Sequence, residues 1–220
     1  MKFASEGATV AAIAAAVAVA AGAALGWPAF VVGAVVATGV LLFFRDPERY
    51  PPTEGDAIIS PADGRVVAVE ENATPHRFAP EATSRITIFM SPLDVHINRS
   101  PAAGVVERVE HRPGKFAAAY RAEASEINES NSLLLRTSSG ARIVVVQIAG
   151  WLARRIICHV RPGAELATGQ RFGLIMFGSR VDVFLPPGTR LMVRVGEKVR
   201  SGETLIAQLV QGAANETQAA

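Results

Sequence analysis

Arg171-Phe172-Gly173-Leu174-Ile175-Met176-Phe177-Gly178-Ser179-Arg180-Val181-Asp182-Val183-Phe184-Leu185-Pro186 sets two β-like runs on either side of a Gly-Ser pair. Short apolar runs bounded by glycine and proline read as strands. The pair has two readings on local chemistry: an ordinary hairpin turn, or a functional bond displayed between strands. The same punctuation recurs outward along the chain. Candidate strands fall at 64–70, 85–90, 105–111, 132–136, 142–148, 155–160, 171–176, 180–185, 190–195 and 204–209, rich in Val and Ile. Residues 116–125 carry the spacing of one helix. The expectation is a mainly β (α+β) domain, sandwich- or barrel-like.

Composition narrows the classes. The 220 residues include 22 basic and 20 acidic side chains, a net charge of +2, and half of the chain is apolar. Disorder is excluded for most of the chain, and so weak a charge bias does not indicate nucleic acid. Cys158 is the single cysteine, which excludes a disulfide scaffold and a paired-cysteine zinc site. A lone thiol also suits a reducing compartment.

Residues 8–44 contain no charged side chain. A single membrane crossing takes about 20 residues at about 1.5 Å each, so 37 uncharged residues are too many for one. Gly26-Trp27-Pro28 interrupts the run, and glycine and proline break a helix there. Two short apolar helices, 8–25 and 29–44, are expected as a spanning or re-entrant hairpin. A signal peptide is disfavoured by the length of the run and the lack of a clear cleavage site. Lys2 precedes the first helix, and Arg45 and Arg49 follow the second, so the positive-inside tendency puts both ends on the cytoplasmic side. The expected organisation is a membrane-anchoring hairpin at 1–50 and a catalytic domain at 51–220, at the cell membrane.

Two internal echoes are present. Ser60-Pro61-Ala62-Asp63-Gly64-Arg65-Val66 resembles Ser100-Pro101-Ala102-Ala103-Gly104-Val105-Val106. Residues 162–169 resemble 195–202, both with the glycine turns of a lipoyl-like hairpin. No carrier lysine in a Met-Lys context lies between them, which argues against a swinging-arm carrier.

His76 sits among prolines in an expected exposed loop, His111 ends a strand and His159 alternates within one. Each reads more readily as structural than as catalytic. The chain contains no GxSxG, P-loop, GxGxxG or HExxH pattern. Three segments remain: the Asp63-Gly64 turn, the proline-bracketed loop Ser91-Pro92-Leu93-Asp94-Val95-His96-Ile97-Asn98-Arg99-Ser100-Pro101, and the Gly178-Ser179 pair.

These segments, with the apolar N-terminus and Gln147-Ile148-Ala149-Gly150 to Ala153-Arg154-Arg155-Ile156, resemble phosphatidylserine decarboxylase proenzymes of the short bacterial and archaeal type. The resemblance covers nearly the whole chain. It implies self-cleavage between Gly178 and Ser179 into a β chain (1–178) and an α chain (179–220) that remain together as a heterodimer, with or without a higher homo-oligomer. Ser179 would become a pyruvoyl group, the electron sink for decarboxylating phosphatidylserine in the bilayer to phosphatidylethanolamine, without PLP or metal. Glycine leaves the attacked carbonyl unhindered. By motif, Asp63 matches the aspartate assigned to self-cleavage, and His96 the histidine that handles the substrate carboxylate or protonates the carbanion.

The longer enzymes carry a second histidine at the position of Arg99. An oxyanion or a phosphate is the alternative expectation for that arginine. Arg154, Arg155 and residues 112–115 are candidate phosphate donors, Asn128 a candidate substrate contact, and Arg45 and Arg49 candidate headgroup partners. The alternatives are the same chemistry on another serine lipid, such as an archaeal ether lipid (archaetidylserine), and a non-catalytic, membrane-anchored lipoyl-like module.

Overall fold

The computed structural model describes residues 2–52, 55–115, 127–150, 155–176 and 179–210. The expected 116–125 helix lies outside them, as do Arg154 and Gly178. The chain divides into two compact units, Met1–Glu48 and Arg49–Ala220.

In the first unit strand β1 (Lys2–Phe3) leads through a 3₁₀ turn, Ser5–Gly7, into α1 (Ala8–Leu25), followed by α2 (Trp27–Phe43) and β2 (Arg45–Asp46). Gly26 joins the helices at φ 88°, a left-handed conformation that an L side chain resists. Pro28 is tolerated in the first turn of α2, where backbone N–H groups have no intrahelical partner, so α2 starts two residues before its expected position. A Cβ at Gly33 would lie 2.7 Å from Ala18 Cβ, which shows how closely the two helices approach. β1 pairs with β2, and Lys2 with Glu48, gathering charge at the end opposite Trp27. Val17, Val19, Val32, Val35 and Val36 are exposed. Ser5–Leu25 is long and apolar enough to cross a membrane, with a mean hydropathy of 2.2.

The second unit contains β3 (Ala57–Ile59), β4 (Gly64–Glu70), β5 (Ser84–Met90), β6 (Ile97–Arg99), β7 (Gly104–Arg112), β8 (Ser130–Thr137), β9 (Arg142–Ile148), β10 (Ile156–Cys158), β11 (Glu165–Leu166), β12 (Arg171–Ile175), β13 (Ser179–Leu185), β14 (Arg190–Leu191), β15 (Lys198–Val199) and β16 (Leu205–Gln208). Eight of these form one sheet in the order β11-β7-β8-β9-β13-β5-β4-β15, curled as a half-barrel. Two three-stranded sheets, β10-β12-β6 and β14-β16-β3, accompany it. The mainly β expectation holds. The strands expected at 155–160 and 190–195 shorten to Ile156–Cys158 and Arg190–Leu191.

The echoes pair crosswise. Gly64 lies opposite Val199, and Gly104 opposite Leu166. Ser60 Oγ donates to the Ala62 carbonyl at 2.6 Å, and Ser100 Oγ to the Ala102 carbonyl at 2.7 Å. A Cβ on Gly64 would collide with the Phe89 carbonyl, and one on Gly104 with the Arg136 carbonyl. The large sheet is therefore two related halves that meet at β9 and β13. At the matching places one half carries Asp63 and the other Ala103.

Alternation along β13 separates the two faces of the sheet. Val181, Val183 and Leu185 enter the main core with Ile86, Ile88, Met90, Leu133, Leu135, Ile143 and Val145. Phe184 lies on the other face with Phe78, Val144, Val146 and Ile148.

Candidate active site

β12 and β13, the strands that flank the Gly-Ser pair, do not form a hairpin. β12 belongs to the β10-β12-β6 sheet, whereas β13 lies inside the large sheet between β5 and β9. β12, which ends at Ile175, and β13, which starts at Ser179, thus lie in different sheets, and local sequence cannot distinguish that crossing from a hairpin.

Ser179 is the first residue of β13 and fully buried. It lies opposite Met90, and its Oγ donates to the Met90 sulfur at 3.3 Å. Gly64 continues the same row on the far side of β5, because Arg65 faces Phe89. At about 4.8 Å per strand, Gly64 and Ser179 are roughly 10 Å apart along this row. Asp63 therefore stands just beyond the end of the sheet, two strands from Ser179.

The Asp63 carboxylate is enclosed. One oxygen accepts from Arg49 at 2.7 Å, the other from the Ser201 N–H at 2.7 Å. Burial pushes its pKa above the usual aspartate value, against the pull of Arg49 and Ser201. Arg49 also reaches Glu203 at 3.1 Å, and its side chain is 8% exposed. Its expected place at a lipid headgroup is thus corrected: Arg49 is an internal counter-ion of Asp63. Its position just after an apolar run hid that role.

The loop bearing His96 is pinned by Asp94, whose carboxylate accepts from the Ser91 N–H at 2.7 Å. His96 is buried, and its Nδ1 lies 3.0 Å from the Asp94 carbonyl oxygen. A carbonyl only accepts, so Nδ1 carries the proton in the neutral ring and Nε2 is the basic nitrogen. The His96 carbonyl accepts from the Ile175 N–H at 3.2 Å, four residues before Ser179. The far side of this loop, expected as loop throughout, forms β6 against β12, because Ile97 and Asn98 are buried.

Arg99 donates to the Gly169 carbonyl at 3.2 Å, and its stem packs on Gly202, so it bridges the turns that end the two copies of the 162–169 and 195–202 echo. Asn128 is fully buried and donates to the Ala149 carbonyl at 2.8 Å. Arg155 is exposed, and its carbonyl accepts from the Met176 N–H at 3.1 Å. His159 is exposed. His76, expected in an exposed loop, is instead half-buried against Phe78 and Phe184 on the opposite face of the sheet. There it lines a cavity of about 250 Å³ with Arg77, Arg112, Ser132 and Asp182.

Sequence reasoning did not single out a row of buried amides. Asn131 and Gln147 take inward positions where the alternation of β8 and β9 otherwise places Leu133, Leu135, Ile143 and Val145. Polar residues in phase with a core stripe are the signal that could have found them. Asn131 Nδ2 donates to Gln147 Oε1 at 2.9 Å, and Gln147 Nε2 to Asn98 Oδ1 at 2.8 Å. Among the described residues, no group of three or more His, Cys, Asp and Glu side chains is placed to hold a metal ion.

Residues 37–207 match the family model described as phosphatidylserine decarboxylase. A curated phosphatidylserine decarboxylase proenzyme from Cereibacter sphaeroides is 46% identical over 198 residues, covering 89% of this chain and 84% of the relative. The proenzyme of the same name from Desulfotalea psychrophila is 46% identical over 170 residues, 77% of this chain and 79% of its own. That from Burkholderia mallei is 45% identical over 203 residues, 84% and 93% of the two chains.

Proposed function

The chain belongs to the phosphatidylserine decarboxylase family, and from that premise we propose that it cuts itself between Gly178 and Ser179 and decarboxylates phosphatidylserine through a pyruvoyl group made from Ser179. The observation that carries the reading is the position of Ser179. It is fully buried at the start of a central strand, and the strand before it in the chain, β12, belongs to a different sheet.

The chemistry of the cut follows from the residues. Ser179 Oγ adds to the Gly178 carbonyl carbon, and the peptide nitrogen leaves with a proton, giving an ester. Loss of the Ser179 Cα proton expels the Gly178 carboxylate, which carries the former Oγ away. Water then replaces the nitrogen, which departs as ammonia. Strand β13 keeps the α chain in place through its pairing with β5 and β9, both in the β chain.

The surroundings fit the pyruvoyl group. The Met90 thioether accepts a weak hydrogen bond from a hydroxyl, and after the cut it packs equally well against a methyl, leaving no polar partner stranded. Once formed, the pyruvoyl group supplies a conjugated carbonyl that draws off the electron pair left as carbon dioxide departs.

Asp63 draws protons during the cut through an intermediate group, since it stands two strands from Ser179. His96 takes or returns a proton at Nε2. Arg155, exposed beside Met176, together with Arg154, receives the lipid phosphate. Arg99 and Asn128 hold the turns and the strand end around the headgroup. Leu93, 84% exposed on the loop bearing His96, offers an apolar contact to acyl chains. The apolar helical pair keeps the enzyme at the bilayer, with the catalytic domain on the cytoplasmic side.

Intact mass decides the first step. One chain of 23.2 kDa should become pieces of about 19 and about 4 kDa, dividing that mass in proportion to residues 1–178 and 179–220. Ser179→Ala should stay whole and release no carbon dioxide from phosphatidylserine vesicles. An active preparation containing only whole chain would overturn the reading.

A further inference from the structure

We propose that the cavity on the face of the large sheet away from the main core binds a phosphate group carried on a short carbon chain, held by Arg77, Arg112, Ser130 and Ser132. The site does not rest on the self-cleavage reading above.

Strand register builds its floor. Arg112 on β7 lies opposite Ser130 on β8, and Ser130 opposite Ile148 on β9. In the next row Ser132 lies opposite Val146, and Val146 opposite Asp182 on β13. These side chains share one face of the sheet, and Ser179 belongs to the other. Arg112, a candidate phosphate donor on sequence, therefore faces this cavity. The segment bearing His76 and Arg77 walls it, and the space is about 250 Å³. At about 30 Å³ per water, that is room for roughly eight waters, or for a phosphate and a few carbons.

The polar groups are set for an anion. Ser130 is 4% exposed and lines the cavity, and its hydroxyl has no hydrogen-bond partner among the described residues. A buried hydroxyl in that state is completed by a ligand or by water. The Phe78 N–H donates to His76 Nδ1, so Nε2 carries the ring proton and donates to Ser132 Oγ at 3.3 Å. Ser132 keeps its own proton to donate into the cavity. The Asp182 carboxylate on the floor is matched by its two bonds from Arg180. Glu110, which holds Arg77, is shared with Arg108. At the His76 ring Arg77 and Arg112 act more strongly than Glu110 and Asp182, so positive potential prevails.

The donors reach the space from β7, from β8 and from the wall. That arrangement surrounds a tetrahedral anion better than a planar carboxylate. Val146, Ile148 and Phe184 give the carbon chain an apolar bed.

The test uses the full chain in dodecyl maltoside micelles, which carry no phosphate. The sequence has four histidines, so ring-labelled protein gives four NMR signals, and His76→Gln identifies one of them. At neutral pH and matched ionic strength, sn-glycerol 3-phosphate should move the His76 signal and leave those of His96 and His159 in place. Arg112→Gln should weaken binding about tenfold, the usual worth of one hydrogen bond to a charged group, and Ser130→Ala severalfold. Ser130→Ala removes a hydroxyl that supports no other described group, so its loss of affinity reads the site rather than the fold. Movement only with phosphatidylglycerol mixed into the micelles would support the phosphate site with a lipid headgroup as its source. A His76 signal that stays put with glycerol 3-phosphate, inorganic phosphate and phosphatidylglycerol alike would overturn the inference. So would unchanged affinity in both variants, or acetate binding as tightly as inorganic phosphate.

Discussion

The Ser179 hydroxyl donates to the Met90 thioether at 3.3 Å, with both side chains fully buried in the main core. Sulfur is a weak acceptor, but the bond stops this hydroxyl from being stranded. Met90→Leu keeps the volume and removes the acceptor. Leaving a buried donor unsatisfied costs about 1–3 kcal/mol. Urea unfolding should show that loss in chains kept uncut by Asp63→Asn, where the hydroxyl persists. On a Ser179→Ala background the same change should be nearly neutral. Equal losses on both backgrounds would mean that Met90 acts through packing alone.

On the opposite face, Arg180 binds Asp182 through two nitrogens at 2.7 and 2.9 Å, at 5% and 1% exposure. Removing one partner of such a pair leaves a buried charge uncompensated, which costs about 3–5 kcal/mol. Asp182→Asn should therefore sharply lower the unfolding midpoint. Arg180→Met combined with Asp182→Leu removes both charges and should be near neutral or stabilising. A double variant as unstable as the single one would show that neighbours such as Thr87 carry the effect.

The strands at 64–70 and 142–148 were legible from end to end, because each is a sustained run of β-branched residues. Glu165–Leu166 and Lys198–Val199 were not, since two residues carry no period. The echoes announced their turns, but their crosswise pairing depends on contacts 60 to 135 positions apart in sequence, beyond any local pattern. Within the candidate site, the Gly178–Ser179 bond stood out through its residue types and its family motif. The Arg49 contact to Asp63 and the inward amides stayed hidden, because a charge after an apolar run and an Asn or Gln in a strand each have commoner meanings.

Asp63 carries a pH signature. Its folded pKa is raised, so the contribution to stability is present below 3.8 and is lost as pH rises through the folded value. Under the proposed self-cleavage role of Asp63, its carboxylate forms over that same window, so the rate of cutting should climb with pH and then level. Arg49 favours the charged form. Arg49→Gln should therefore move the acid limb of the cutting profile to higher pH, read as fragment yield against pH at fixed time. An unmoved limb would separate Asp63 from the rate-limiting proton transfer.

His76 should control acid stability from the other face of the sheet. The Phe78 N–H donates to Nδ1 at 3.1 Å, so the neutral ring carries its proton on Nε2, which donates to Ser132 Oγ at 3.3 Å. Burial first, then Arg77 and Arg112, lower its pKa from 6.5 to about 4, while Glu110 and Asp182 oppose the shift. A depressed folded pKa means that the unfolded chain takes up the proton first. The stability is present above 6.5 and drains away as pH falls toward about 4. His76→Gln cannot titrate, so its unfolding free energy should fall less than wild type between pH 7 and pH 4.5. The exposed half of the ring screens the effect and keeps it below the full linkage value. Parallel slopes for the two proteins would place the acid-sensitive group elsewhere, with buried Asp63 excluded by the opposite sign of its shift.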